Sequence, residues 1–101
     1  SYCPLSCTLD LFGDRWSLIL IRDLMNGKSH FKEFMASPEK IATNILSNRL
    51  NNLLKLKMIE TCPSPIYSGR FAYHLTQKGK SLKPLISQMS EWGLSHIQGT
   101  K

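Results

Sequence analysis

Pro38 is the residue that most limits how this chain can fold. It separates two helical patterns, Phe31-Lys32-Glu33-Phe34-Met35 before it and Ile41 to Lys57 after it. A proline has no N–H to donate, and it drives the residue before it out of the helical region. Ala36-Ser37-Pro38-Glu39-Lys40 is therefore a turn. Phe31, Phe34 and Met35 share one face of the first pattern. Two helices joined by so short a turn make a helix-turn-helix candidate over about residues 31–57.

What flanks this unit narrows the choice further. Residues 1–27 read as helix, with Pro4 suited to a first turn. Gly13-Asp14 interrupts them, and Asp14 or Ser17 caps a restart that closes at Asn26-Gly27. The restart is apolar nearly all round, so it is expected to be the buried central helix, with Trp16 in the core. Lys28-Ser29-His30 is a connector able to supply one edge strand. After Lys57, Ile59-Glu60-Thr61-Cys62 and Phe71-Ala72-Tyr73-His74-Leu75 read as two strands of a hairpin, a wing over about 59–75. Pro63, Pro65 and Ser68-Gly69 shape its tip. Thr76 caps a last helix expected to run unbroken over about 77–97, with Leu82, Leu85, Ile86, Met89, Trp92 and Gly93 as one stripe. A helix-turn-helix followed at once by a β-hairpin is the plan of a winged-helix domain. The expected fold is thus mainly α with a small β-hairpin, one domain over residues 1–101.

Length and composition exclude several other classes. A chain of 101 residues holds one core. Apolar residues at 42% against 20% charged make it globular rather than disordered. The longest aliphatic run, Leu18-Ile19-Leu20-Ile21, falls far short of the ~20 residues a membrane span requires, so no membrane association is expected. No signal-peptide pattern opens the sequence, and three cysteines, an odd number, fit reduced thiols and a cytoplasmic location. The thiols and His30, His74 and His96 lack zinc spacing, so neither metal nor cofactor is expected.

The positive charge is concentrated. Residues 40–83 carry a balance of +7, more than the +6 of the whole chain, with Glu60 their only acid. Such a window suits a polyanion, nucleic acid first, although a merely solvated surface fits as well. On a helical wheel of residues 41–57, Asn44, Ser47, Asn48, Asn51 and Lys55 fall on one side, and Leu46, Leu50 and Leu53 opposite. No acid occurs from Ile41 to Met58. Four asparagines with Thr43 and Ser47 are poor helix formers, whereas an ordinary solvated face favours Glu and Lys. Amide, hydroxyl and ammonium groups are what pair with base edges and phosphates in a major groove. The candidate DNA contacts are Thr43, Asn44, Ser47, Asn48, Arg49, Asn51, Lys55 and, at the hairpin tip, Arg70. Arg49 lies on the flank of the apolar side and either reaches a phosphate or braces the fold. Arg70 suits a narrow minor groove. His30 precedes the short helix, where it touches a phosphate or stays solvated.

These residues match a known pattern in order. Cys3-Pro4, Thr8-Leu9-Asp10, Gly13-Asp14-Arg15-Trp16 and Leu24-Met25-Asn26-Gly27 resemble the opening of HxlR-type winged-helix transcriptional regulators. Phe31-Lys32-Glu33-Phe34, Leu46-Ser47-Asn48-Arg49-Leu50, Tyr73-His74-Leu75-Thr76-Gln77-Lys78-Gly79 and Trp92-Gly93 continue it. The resemblance implies a homodimeric, sequence-specific DNA-binding regulator of the bacterial cytoplasm, often a repressor and sometimes an activator. It places Asn44, Ser47, Asn48 and Arg70 on the DNA, and its Cys-Pro cysteine looks like the thiol of redox-sensing members. Cys3, at a helix N-terminus where the dipole favours thiolate, is thus the redox-sensing candidate. Cys7 is placed to resolve it or simply to pack, and Cys62 reads as a small apolar filler.

The first and last helices carry more apolar surface than a thin three-helix core can cover. Pairing them across a two-fold axis buries it and sets two recognition helices about one DNA turn apart on a pseudo-palindromic double-stranded operator. The alternative is a winged-helix module that binds protein rather than DNA. An enzyme using Cys3 as nucleophile is disfavoured, because no histidine, paired carboxylates or Gly-rich loop accompanies it.

Overall fold

The computed structural model describes residues 3–100. Its elements run α1 (Pro4–Phe12), α2 (Arg15–Met25), α3 (Phe31–Met35), α4 (Thr43–Lys55), β1 (Ile59–Pro63), β2 (Phe71–Leu75), α5 (Gln77–Lys80) and α6 (Lys83–His96). The two strands pair antiparallel, from Ile59 opposite Leu75 to Pro63 opposite Phe71. This is a winged helix: mainly helical, with one hairpin.

Asp14 starts α2. Its Oδ1 accepts from the N–H groups of Trp16 (2.9 Å) and Ser17 (3.0 Å), and its Oδ2 accepts from the Ser17 hydroxyl (2.7 Å). Two otherwise unpaired donors of the first turn are thereby satisfied. Leu20, Ile21 and Leu24 of α2 meet Phe34 of α3 and Leu46, Leu50 and Leu53 of α4, and Ile41, Met58 and Ile59 complete the buried cluster. Trp16 packs against this core only half-buried, with the guanidinium of Arg15 over its ring at 5.0 Å.

The turn imposed by Pro38 is held from beneath by charge. Ser37 is buried and donates to Oδ2 of Asp23 at 2.6 Å, while Lys28 Nζ donates to Ser37 at 2.6 Å. Arg22 donates to Asp23 at 2.8 Å and grips Glu39 through both carboxylate oxygens, at 2.9 and 3.0 Å. Hydrogen bonds from Arg22 hold the Glu39 carboxyl down to about 2. The buried Asp23 carboxylate is tolerated because each of its oxygens has a donor, Arg22 on Oδ1 and Ser37 on Oδ2.

Two expected elements differ. Residues 28–30 form no strand; they contribute a single rung, Tyr73 N–H to Ser29 O at 2.8 Å. The last helix is two helices. Leu82 N–H turns to the Gly79 carbonyl, a tighter bond than the α-helical one, and α6 restarts with Pro84 in its first turn. Proline lacks the donor that a continuous helix requires there, and a first turn does not need it.

The Thr76-Gln77-Lys78-Gly79 segment docks on the C-terminal end of α4. Lys57 has φ 60°, and the bonds Met58 N–H to Leu53 O and Lys57 N–H to Leu54 O close a Schellman end. Thr76 Oγ1 then donates to the Lys57 carbonyl (2.6 Å) and accepts from Gly79 N–H (3.1 Å), and Lys78 Nζ donates to the Leu56 carbonyl (3.0 Å). Gly79 is required by close approach: a Cβ there runs into the carbonyl oxygen of Met58.

Candidate nucleic-acid interface

α4 lies with Leu46, Leu50 and Leu53 in the core and Asn44, Ser47, Asn48, Asn51 and Lys55 exposed, as the wheel predicts. Thr43 opens the helix, also exposed, with its hydroxyl toward Met35 Sδ at 3.8 Å. No side chain caps this N-terminus; Ala42 occupies the capping position, and the first turn holds no acid. A polar face thus begins at a helix end whose leading N–H groups face outward.

Arg49 is half-buried and braces the fold. Its Nε donates to Asp14 Oδ1 at 2.9 Å and its Nη1 to Asn48 Oδ1 at 2.6 Å. Partial burial works against ionisation of Asp14, but the hydrogen bonds from Ser17 and Arg49 outweigh it and leave its carboxyl below the ordinary value. With Oδ1 of Asn48 accepting from Arg49, its amide N–H groups are left as its donors. Arg49 thereby orients a base-reading candidate from the side.

The wing stands next to α3. Arg70 is exposed at its tip, which is tied by Ser64 N–H to Arg70 O (2.8 Å) and Arg70 N–H to Tyr67 O (3.2 Å). His30 is buried rather than solvated, and both ring nitrogens are engaged within the fold, which leaves neither for a phosphate. Ser64 Oγ accepts from the N–H groups of Ile66 (3.1 Å) and Tyr67 (2.9 Å), so its own proton goes to His30 Nε2 at 2.7 Å. On the other side of the ring Nδ1 faces Glu33 Oε1 at 3.1 Å. Glu33 also accepts from the N–H groups of Ser29 (3.0 Å) and His30 (2.9 Å), and these two bonds hold its carboxyl down to about 2. His30 is thus a bolt between the start of α3 and the hairpin.

Sequence reasoning passed over Lys32. It is exposed on α3 opposite Phe34, with its Nζ 4.0 Å from the centre of the Tyr67 ring. A wheel of residues 31–35 puts Lys32 on the outer side, but nothing local reveals the tyrosine 35 positions away.

Cys3 is exposed at the capping position of α1, where its carbonyl accepts from Cys7 N–H at 2.9 Å. Cys7 is exposed one turn on, and Cys62 is half-buried on β1 opposite Ala72. No group of three or more His, Cys, Asp or Glu able to hold a metal occurs among the described residues. No helix among them is long and apolar enough to cross a membrane.

An exposed, acid-free helix face beside a wing with Arg70 at its tip is a regulator's layout, and the profile of the HxlR-like helix-turn-helix family matches residues 11–101. The chain belongs to that family. HxlR-type proteins similar to it include YdeP of Bacillus subtilis, an HTH-type transcriptional regulator 34% identical over 91 residues, covering 90% of this chain and 71% of YdeP. Among solved structures, PA1607, described as a putative transcription factor, superposes with a TM-score of 0.87 at 35% identity, over 96% of this chain and 67% of that one. The reduced form of the redox regulator HypR superposes with a TM-score of 0.84 at 30% identity, over 95% of each chain. This HxlR-type chain is accordingly a transcriptional regulator.

Proposed function

We propose that this regulator binds double-stranded DNA as a homodimer, with α4 in the major groove and the wing at the minor groove. The exposed face of α4, with three asparagines and a serine on an acid-free helix, carries the reading. Asn44 and Asn48 read base edges, with Thr43, Ser47 and Asn51 beside them. Lys55 and Arg70 meet phosphate or the minor groove. Arg49 acts through Asn48 rather than by reaching out. Repression follows from occupying a promoter, and a pseudo-palindromic operator follows from two-fold symmetry.

The dimer is proposed to form through α1 and α6. Leu5 and Leu9 of α1 and Met89, Trp92 and Leu94 of α6 are all more than half exposed. Side chains of this size on one chain are what a self-complementary interface covers. Cys3, exposed at the end of α1, is the proposed redox-responsive thiol, in line with the description of HypR.

The decisive experiment is fluorescence anisotropy of a random duplex about three helical turns long, over a range of salt concentrations. Affinity should fall steeply with salt, and Arg70→Ala should reduce the slope by about one unit. Asn48→Ala should lower discrimination between operator and random DNA by about 1–3 kcal/mol. No binding at low salt overturns the reading. Diamide treatment should change the affinity of the wild type and leave that of Cys3→Ser unaltered.

A further inference from the structure

A second surface, distinct from the outer face of α4, has the make-up of a small-molecule site. Between the first turn of α3 and the hairpin tip lies an open groove of about 670 Å³, within the size range of ordinary ligand pockets. Its walls include Phe31 from α3 and Ile66, Tyr67 and Phe71 from the hairpin. Ile66 and Phe71 are 69% and 63% exposed, so they do not serve the core. Contact with phosphate alone gives no reason for such side chains.

The groove also carries two cations. Lys32 stands over the Tyr67 ring, and Arg70 is also among the lining residues. No acid is among the lining residues, and neighbouring Glu33 is occupied by Ser29 and His30. The walls are held at a fixed spacing. His30 spans from α3 to Ser64, and its ring meets Tyr67 edge-on, 5.2 Å between centres. The groove is therefore formed before any ligand arrives, which lowers the ordering cost of binding.

We propose that this groove binds a small planar organic anion, an aromatic monocarboxylate, with its ring against Phe71 and Tyr67 and its carboxylate toward Lys32 and Arg70. Charge complementarity selects the anion, because two cations with no acid among the lining are unsatisfied by a neutral guest. The aromatic walls select the ring, because an inorganic anion leaves them in water. None of these residues belongs to α1 or α6, the helices of the proposed dimer.

The test contains no DNA, and so stands or falls apart from the DNA-binding reading. Isotope-labelled protein is titrated with naphthoate while backbone amide shifts are followed. Naphthylmethanol, which lacks the charge, and inorganic phosphate, which lacks the ring, are titrated alongside. Naphthoate should saturate the amides of residues 30–32 and 66–73 and bind about tenfold more tightly than either counterpart. Lys32→Met and Phe71→Ala change exposed side chains, so both should keep the spectrum elsewhere and each weaken naphthoate by about fivefold or more. Shifts confined to α1 and α6, equal affinity for naphthylmethanol, or wild-type affinity in both variants overturns the proposal.

Discussion

Helices α4 and α6 each carry one apolar stripe, and only the first is covered. Leu46, Leu50 and Leu53 of α4 are shut into the core, whereas Leu85, Met89 and Trp92 of α6 lie exposed. The difference follows from what each helix packs against. α4 closes on α2, α3 and β1, and the docked Thr76–Gly79 segment seals its end. α6 leans on α2, with its Ile86 and the preceding Leu82 against the core, and turns the rest of its stripe away. One chain thus completes the helix-turn-helix by itself and leaves apolar side chains of α1 and α6 exposed, the surface that the proposed dimer would cover.

The largest effect should separate these two stripes directly. Phe34→Ala removes a side chain with no exposure and should cost about 3–5 kcal/mol in denaturant melts. Trp92→Ala, on a residue 60% exposed, should leave the monomer's stability nearly unchanged. It should instead weaken dimerisation by about 2 kcal/mol, or thirtyfold, in sedimentation equilibrium. If Trp92→Ala unfolds the monomer and spares the dimer, the contrast is wrong.

Acidification should weaken the covered region, with a smaller effect. The carboxyls of Glu33 and Glu39 are held down to about 2 from an ordinary value of 4.5. A folded value below the unfolded one means that their stabilisation is complete above about 4.5 and is lost as pH falls toward about 2. Denaturant melts across that interval should show a decline in stability that is shallower in Glu39→Gln. A decline equally steep in that variant would remove the Arg22–Glu39 grip from the account.

The smallest change should be a gain. Lys57 sits at φ 60°, where a Cβ is unfavourable, so Lys57→Gly should stabilise by about 0.5–1 kcal/mol. A loss in thermal melts would show that the lysine side chain offsets its own strain.

Features set by neighbours in sequence were legible before the structure. Pro38 marked the turn, Asp14 was one of two candidate caps for α2, and the period of residues 41–57 separated the buried leucines from the asparagines. What escaped depends on partners far along the chain. Arg49 was left between phosphate and brace because Asp14 lies 35 positions away. His30 was left between phosphate and solvent because Ser64, its partner in the hairpin, lies 34 positions on. The break at Ser81–Leu82 was hidden for another reason. Both residues keep helical dihedrals, so the stripe of α6 runs on in phase while the bond pattern changes beneath it.

Asp14 gives α1 mechanical purchase on α4. It follows Gly13, the end of α1, and its carboxylate both starts α2 and holds the guanidinium that steadies Asn48. One carboxylate therefore sets both where α2 begins and where the guanidinium beside Asn48 stands, so the loss of this single side chain would be felt at the end of α1 and on the outer face of α4 together.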